Sequence, residues 1–297
     1  MSATAGRGLG AKPQPVLIET ALGVAECAVW GEGPVVLALH GAMGGYDQSA
    51  MLARAALAGV GFQVVAVSRP GYLGTPLGEA AAPEQQADLC AALLDALGLR
   101  HAAVLAISGG GQCALQFALR HGRRCRGLVL VSACTAQLRV KLPLRFHLLK
   151  WMARLPWLTA RLREKAAQRP EESARRAILD PELCRRTLAD PVAGPLLTEL
   201  QLSTMEHLAQ RLPGTQNDIV QSRRPFEYPV EQIGQPVLLV HGTADEVVPF
   251  ADSRSLAGRL PRAELLALEG GAHVSLFTHL HEIRARVGPF LEGHGPG

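Results

Sequence analysis

Residues 104–111 constrain the fold of this chain more than any other stretch. Residues 104–107 are apolar and predict a buried strand, which ends at Ser108. Three glycines follow, and residues 112–120 then have the composition of a helix. A strand-to-helix turn this tight holds the serine in a strained backbone with its hydroxyl at the top of a sheet. The pattern predicts a nucleophile elbow, although Ala106 stands where G-x-S-x-G has its first glycine.

Ser108 also has a simpler interpretation. A serine at the end of a strand commonly caps the following helix in α/β proteins. The remaining polar residues at strand ends are needed to choose between the two roles.

A serine nucleophile needs a base, and that base needs an acid to hold its tautomer. His273 lies in a glycine-bearing loop after the apolar run 263–268, and Asp245 follows the apolar run 236–240. We expect His273 to reach Ser108 with one ring nitrogen and Asp245 with the other. Glu246 is the main rival for the acid.

An oxyanion site is also predicted. Residues 34–39 form an apolar run that leads into a loop containing Gly41, Gly44 and Gly45. Such a loop can aim backbone N–H groups at a developing negative charge. The N–H of Ala42, paired with that of Gly109, is the candidate oxyanion hole.

Taken together, the chain resembles an α/β-hydrolase-fold protein with a helical cap, over about residues 16–292. The motifs that carry the resemblance are His40-Gly41, residues 68–75, the Ser108 elbow, the Asp245 loop and the His273 loop. The resemblance implies a doubly wound, mostly parallel sheet and a Ser–Asp–His triad in the family's chain order. It does not imply a substrate, because this fold supports many chemistries.

The residues at positions 108 and 109 exclude some of the reactions that relatives of this family catalyse. Related dehalogenases and epoxide hydrolases have an aspartate at the position of Ser108, and proline iminopeptidases have a tryptophan at the position of Gly109. The favoured function is therefore hydrolysis of an ester-type bond of a small, largely apolar substrate through an acyl-enzyme. Carbon–carbon bond hydrolysis with the same triad and non-catalytic binding of a small ligand are the alternatives.

Strand and helix patterns alternate along most of the chain. The predicted strands are 16–20 and 26–30 (an antiparallel pair), 35–39, 63–67, 102–107, 127–131, 236–240 and 263–268. The predicted helices between them are 49–58, 83–97 and 112–121. Such alternation is typical of a parallel, doubly wound sheet.

The alternation stops after Val131, and residues 136–229 become helical, arginine-rich and interrupted by prolines. The predicted organisation is a flexible leader (1–14), a hydrolase core (15–135 and 230–292) and a helical cap (136–229). Met43, Trp151, Met152 and Trp157 are the candidate apolar wall of the substrate pocket. Residues 144–158 are interpreted as an amphipathic lid helix in preference to a helix lying on a membrane surface.

Composition excludes several other classes of protein. The net charge of +4 gives no support for nucleic-acid binding, and no stretch of about 18 apolar residues predicts a membrane span. The six cysteines contain no C-x-x-C pair, which argues against a zinc site or disulfide framework and favours a reducing compartment. The N-terminus lacks the apolar region of a signal peptide. We therefore expect a cytoplasmic enzyme that needs no metal or organic cofactor and has a small-molecule substrate; a homodimer is left open.

Overall fold

The computed structural model describes residues 13–57, 61–138 and 144–294. These residues contain an eight-stranded sheet with the strand order β1-β2-β4-β3-β5-β6-β7-β8. The strands are β1 (Val16–Thr20), β2 (Gly23–Trp30), β3 (Val35–Leu39), β4 (Gln63–Val67), β5 (Ala102–Ile107), β6 (Cys125–Val131), β7 (Val237–Gly242) and β8 (Ala263–Leu268). Strands β3 to β8 run parallel, and β2 pairs antiparallel with both β1 and β4.

Helices cover both faces of this sheet. In chain order they are α1 (Tyr46–Ala56), α2 (Pro83–Ala96), α3 (Gly111–Arg120), α4 (Leu144–Met152), α5 (Pro156–Gln168), α6 (Pro170–Ala174), α7 (Pro181–Ala189), α8 (Ala193–Ser203), α9 (Leu208–Ser222), α10 (Phe250–Arg259), α11 (Ser275–Thr278) and α12 (Leu280–Glu292). Within the described residues, none of these helices is long and apolar enough to cross a bilayer.

The central strands are apolar on both faces because each face packs on a helical layer. On one face, the core includes side chains of α1, α11 and α12. On the other face, it includes side chains of α2, α3 and α10. A parallel sheet buried in this way brings the carboxyl ends of its strands to one edge, where polar residues in the connecting loops can meet.

Helices α4 to α9 lie between β6 and β7 in the chain, and they pack on different parts of the molecule. Side chains of α6, α7 and α8 join the core on the α1 side of the sheet. Helix α9 instead crosses the loops at the carboxyl ends of β3 and β4. The N–H of Gly214 donates to the carbonyl of Gly71 at 2.8 Å, and the N–H of Met43 donates to the hydroxyl of Thr215 at 3.0 Å.

The predicted fold class is confirmed, with differences at the ends of elements. Strand β2 begins at Gly23 rather than residue 26, and β6 begins at Cys125 rather than residue 127. The prediction of one helix over residues 144–158 is wrong. Helix α4 ends at Met152 and α5 begins at Pro156, because a proline starts a helix readily but disfavours helical backbone in the residue before it.

Some predicted features lie outside the described residues. These are most of the leader (1–12), residue 58 at the end of the first predicted helix, and residues 139–143 of the cap. The division into leader, core and cap stays a prediction.

Candidate active site

Ser108 follows the last residue of β5 and opens the turn into α3. Its φ angle is 50°, in the left-handed region that side chains other than glycine rarely adopt. Neighbouring glycines make room for this turn. A Cβ on Gly41 would come within 2.9 Å of the Ser108 Cβ, and a Cβ on Gly110 would come within 2.8 Å of the His40 carbonyl oxygen. The elbow therefore packs directly against the loop after β3.

Ser108, His273 and Asp245 form a continuous hydrogen-bonded chain. Nε2 of His273 lies 3.1 Å from Oγ of Ser108, and Nδ1 lies 2.8 Å from Oδ2 of Asp245. An ionised carboxylate only accepts hydrogen bonds, so Nδ1 carries the proton and donates to Asp245. Nε2 is then free to accept the hydroxyl proton of Ser108. This arrangement lets the imidazole act as a base toward the serine.

Asp245 is buried at the end of the loop after β7 and has several donors. Its Oδ1 accepts the N–H groups of Val247 at 2.9 Å and Val248 at 3.0 Å, and Nε2 of His241 lies 3.3 Å from Oδ2. Burial raises the pKa of Asp245, but hydrogen bonds from His241, His273 and Val248 and the charge of His273 outweigh it, so the pKa lies well below its ordinary value. The carboxylate is thus kept ionised beside the imidazole.

His241, near the end of β7, contacts Asp245 and also the loop that follows. Nε2 of His241 also lies 2.9 Å from the carbonyl of Val248, and Nδ1 lies 2.7 Å from the hydroxyl of Ser253. Glu246, the rival acid, is exposed to solvent, whereas Asp245 is buried. The local fold thus turns Asp245, and not Glu246, toward His273.

Ala42 and Gly109, the predicted oxyanion-hole residues, line the same cavity as Ser108. A Cβ added to Gly109 would lie 3.5 Å from the backbone nitrogen of Ala42 and only 2.9 Å from Oδ2 of Asp218. A larger residue at position 109 would thus have to displace the Asp218 carboxylate of α9. Ala42 and Gly109 are therefore adjacent, and their service as an oxyanion hole stays a prediction.

A buried ion pair adjoins this candidate oxyanion hole. Arg69, after β4, is 1% exposed and contacts Asp218 of α9 twice, Nη1 to Oδ1 at 2.9 Å and Nη2 to Oδ2 at 2.5 Å. The hydroxyl of Tyr72 donates to the same carboxylate at 2.6 Å. Burial lowers the pKa of Arg69, but the charge of Asp218 outweighs it and raises the pKa overall. The ion pair thus joins the loop after β4 to helix α9, which lies between β6 and β7 in the chain.

Arg69 also fixes the loop after β3. Its backbone N–H donates to Nε2 of His40 at 2.9 Å, and its Nε–H donates to the His40 carbonyl at 2.9 Å. Nδ1 of His40 donates in turn to the carbonyl of Gly41 at 2.6 Å. Burial, followed by the charge of Arg69, lowers the pKa of His40 well below its ordinary value. A neutral His40 thus holds the loop that carries Ala42.

Arg69 lies within the 68–75 motif of the sequence analysis, whereas none of the sequence motifs includes Asp218. The S-R-P-G stretch after β4 places Arg69 at the carboxyl edge of the sheet. Asp218, in contrast, occupies a polar helix where an acid usually faces solvent. No local signal identifies its partner.

The cavity beside Ser108 has a volume of about 170 Å³. Its wall is largely apolar, with three glutamine amides and the Arg69–Asp218 pair. The residues that line it are Ala42, Arg69, Pro83, Gln86, Ser108, Gly109, Gln112, Cys113, Cys134, Leu138, Asp218, Ile219, Gln221, Ser222, Val247 and Val248.

The four residues of the predicted pocket wall do not line this cavity. None of Met43, Trp151, Met152 and Trp157 is among the lining residues. Trp151 is 55% exposed and Trp157 is 65% exposed, while Met43 and Met152 pack in an apolar cluster with Phe146. Of helices α4 to α9, it is α9 that supplies the described lining residues, which are Asp218, Ile219, Gln221 and Ser222.

Cys134 lines the cavity but is buried, and burial raises the pKa of its thiol to about 12. It therefore stays protonated at neutral pH and is a poor nucleophile. Within residues 13–57, 61–138 and 144–294, no group of three or more His, Cys, Asp or Glu side chains is arranged to hold a metal ion.

Comparison with known families and structures gives consistent matches. A family profile described as alpha/beta hydrolase fold matches residues 34–280. A solved structure, an alpha/beta hydrolase fold protein from Nakamurella multipartita, superposes with a TM-score of 0.83 at 33% sequence identity. That superposition covers 95% of this chain and 100% of the other.

Two named relatives are more distant. Over 201 residues the chain is 26% identical to a 2-hydroxymuconate semialdehyde hydrolase from Pseudomonas putida, covering 67% of this chain and 65% of that protein. Over 231 residues it is 28% identical to a pimeloyl-[acyl-carrier protein] methyl ester esterase from Neisseria meningitidis serogroup A, covering 77% of this chain and 68% of that protein. The matched region is thus about two thirds of the length of each relative.

Proposed function

This chain belongs to the α/β hydrolase fold family, and from that premise we propose that it is a serine hydrolase acting on carboxylic esters of small, largely apolar substrates. The observation that carries the proposal is the chain of contacts from Ser108 to His273 to Asp245, at 3.1 and 2.8 Å. These distances suit proton transfer from the serine hydroxyl to the imidazole. The apolar cavity beside Ser108 provides space for a small acyl or alkyl group.

In the proposed reaction, His273 removes the proton of Ser108 as the serine oxygen attacks the ester carbonyl carbon. The N–H groups of Ala42 and Gly109 bind the resulting oxyanion, and Asp245 stabilises the imidazolium. When the tetrahedral intermediate collapses, His273 gives its proton to the leaving alcohol. Water then attacks the acyl-enzyme by the same route, releasing the carboxylic acid and restoring the serine hydroxyl.

A carbon–carbon bond hydrolase with the same triad is the second candidate, and the similarity to a 2-hydroxymuconate semialdehyde hydrolase favours it. The similarity to a methyl ester esterase supports ester hydrolysis, at slightly higher identity and over more of this chain. Both candidates share the acyl-transfer centre and differ in the bond that is cleaved. The two candidate functions can be distinguished by comparing the rate at which the protein hydrolyses simple esters with the rate at which it cleaves a diketone-like substrate.

The first test is labelling by a fluorophosphonate combined with turnover of p-nitrophenyl acetate and butyrate. The wild-type protein should be labelled at Ser108, and Ser108→Ala should lower kcat by several orders of magnitude while the fold is retained. The matched control is Ser132→Ala. Ser132 follows the neighbouring strand β6 and also has a left-handed φ, but its hydroxyl lies near Ser275 rather than His273.

The control variant should be labelled and active. Retention of most activity by Ser108→Ala would show that the nucleophile is wrongly assigned. A wild-type protein that binds small esters but neither hydrolyses them nor reacts with the fluorophosphonate would indicate the non-catalytic, ligand-binding alternative.

A further inference from the structure

The wall of the cavity contains a buried amide that the proposed mechanism does not use. Gln112 lies in the first turn of α3, four residues after Ser108, and is only 7% exposed. It lines the cavity, and among the described residues its amide has no hydrogen-bond partner. The polar atoms of this amide are not among the fully buried atoms that lack a partner, so they are accessible from the cavity and can bond a ligand there.

Gln116, one turn further along α3, is a second buried glutamine of this helix, and its amide does have a hydrogen-bond partner. It is 6% exposed, and its Nε2 donates to Oε1 of Glu84 at 3.1 Å. Gln116 does not line the cavity. The lack of a partner is therefore specific to the glutamine that faces the cavity.

The other amides in the wall are engaged to different degrees. Gln86 accepts Nη1–H of Arg69 at 3.2 Å and donates to the carbonyl of Ala81 at 3.2 Å. Gln221 of α9 donates to Oδ1 of Asn217 at 3.2 Å. Gln112 thus retains two donors and an acceptor for a ligand.

The charges around the cavity favour a neutral ligand. Among the described lining residues the charged side chains are Arg69 and Asp218, and they neutralise each other through two contacts. An anionic group would meet no free cation from these residues and would approach the Asp218 carboxylate. A hydroxyl or keto oxygen would meet no such repulsion and can bond an amide.

We infer that the substrate is a short-chain ester that carries a second, neutral hydrogen-bonding group, such as a hydroxyl or keto oxygen, and that Gln112 bonds this group. The inference rests on the proposed function, because it concerns the substrate of the same site. The cavity of about 170 Å³ has room for this polar group and a few neighbouring carbon atoms. Gln112 is then a specificity residue that contacts the substrate away from the reacting carbonyl.

The experiment compares esters that are matched in shape and differ in one polar group. One pair varies the acyl part: p-nitrophenyl 3-hydroxybutyrate and p-nitrophenyl 3-methylbutyrate. The other pair varies the alcohol part: 2-hydroxyethyl butyrate and n-propyl butyrate. For each pair, the ratio of kcat/KM for the hydroxylated ester to that for its apolar partner is measured in the wild type, Gln112→Met and Gln116→Met.

The wild type should prefer the hydroxylated ester in at least one pair. Gln112→Met should lower that ratio about tenfold, because one hydrogen bond to a neutral group is lost. Gln116→Met, the matched control on the same helix, should keep the wild-type ratio. Thermal unfolding of each variant shows that the fold is retained.

An unchanged ratio in Gln112→Met for both pairs would overturn the inference while the proposed function stands, since the esters are still hydrolysed. An equal fall of the ratio in both variants would also overturn it, because the cause would be a disturbed α3. If the wild type hydrolyses none of the esters and Ser108 is not labelled, the proposed function fails, and the inference fails with it.

Discussion

Removing the charge of Asp218 should destabilise the protein strongly, although the residue lies in a surface-facing insertion. Arg69 is 1% exposed, and Asp218 makes two hydrogen bonds with it and accepts a third from Tyr72. The change Asp218→Asn keeps the shape of the side chain but leaves the guanidinium as an unpaired buried cation. Removal of one partner from a buried pair typically costs about 3–5 kcal/mol.

That cost can be expressed as a change in the unfolding midpoint. For a chain of 297 residues, the entropy of unfolding is about 0.6 kcal/mol per degree, from about 2.1 cal/mol/K per residue. A loss of 3–5 kcal/mol then lowers the midpoint by about 5–8 °C. Because the pair is buried, added salt should change this shift little.

The assay is thermal unfolding at neutral pH in low and high salt, extended to a double-mutant cycle. Arg69→Met should also destabilise, because among the described residues it leaves the Asp218 carboxylate with Tyr72 as its remaining donor. The double variant should be less destabilised than the sum of the singles, with a coupling of about 1–3 kcal/mol. The exposed pair of Glu182 and Arg185 provides the control, and Glu182→Gln should leave the midpoint unchanged. A shift below about 2 °C for Asp218→Asn would refute the reasoning from burial.

Three further results are expected. A backbone N–H at the start of α8 lowers the pKa of Asp190 to about 2, so its stabilising effect is complete above pH 4 and is lost as pH falls toward 2. The difference in stability between the wild type and Asp190→Asn, measured by denaturant unfolding, should vanish across that range. Gly214→Ala should lower both the unfolding midpoint and kcat/KM for p-nitrophenyl butyrate, because the added Cβ would lie 2.3 Å from the Tyr72 ring and push α9 off the core. Iodoacetamide at pH 8 should leave Cys134 unmodified in the native protein and modify it after unfolding, as mass spectrometry would show, since the thiol is buried and its pKa is raised to about 12.

The sheet was predictable because its strands are short apolar runs separated by glycine, proline and polar turns. Predicted and observed bounds agree for Val35–Leu39, Gln63–Val67 and Ala102–Ile107. The polar residues at strand ends could be placed because parallel strands deliver them to one edge. The meeting of Ser108, His273 and Asp245 follows from this topology together with the tight turn at the elbow.

The cavity wall was not predictable on the same grounds. Aromatic and thioether side chains in an amphipathic run suggested a pocket, but Trp151 and Trp157 lie largely in solvent. Short helices joined at prolines have no fixed phase relative to one another, so local pattern cannot show which of them lies over the elbow. Gln112 and Asp218, which do reach the cavity, have polar side chains that a pattern of apolar residues overlooks.

The charged residues of α9 nevertheless contain information about its orientation. Arg211 and Asp218 are seven residues apart and therefore share one face of the helix. Arg211 is 1% exposed and bonds Asp47 of α1 at 2.7 Å, while Asp218 bonds Arg69. Helix α9 therefore provides the cation of the first ion pair and the anion of the second. If α9 ran in the opposite direction, Arg211 would face Arg69, and Asp218 would face Asp47. The like-charge contacts exclude that arrangement, so the charge pattern selects the direction that places the C-terminal turns of α9, with Gln221, beside Ser108.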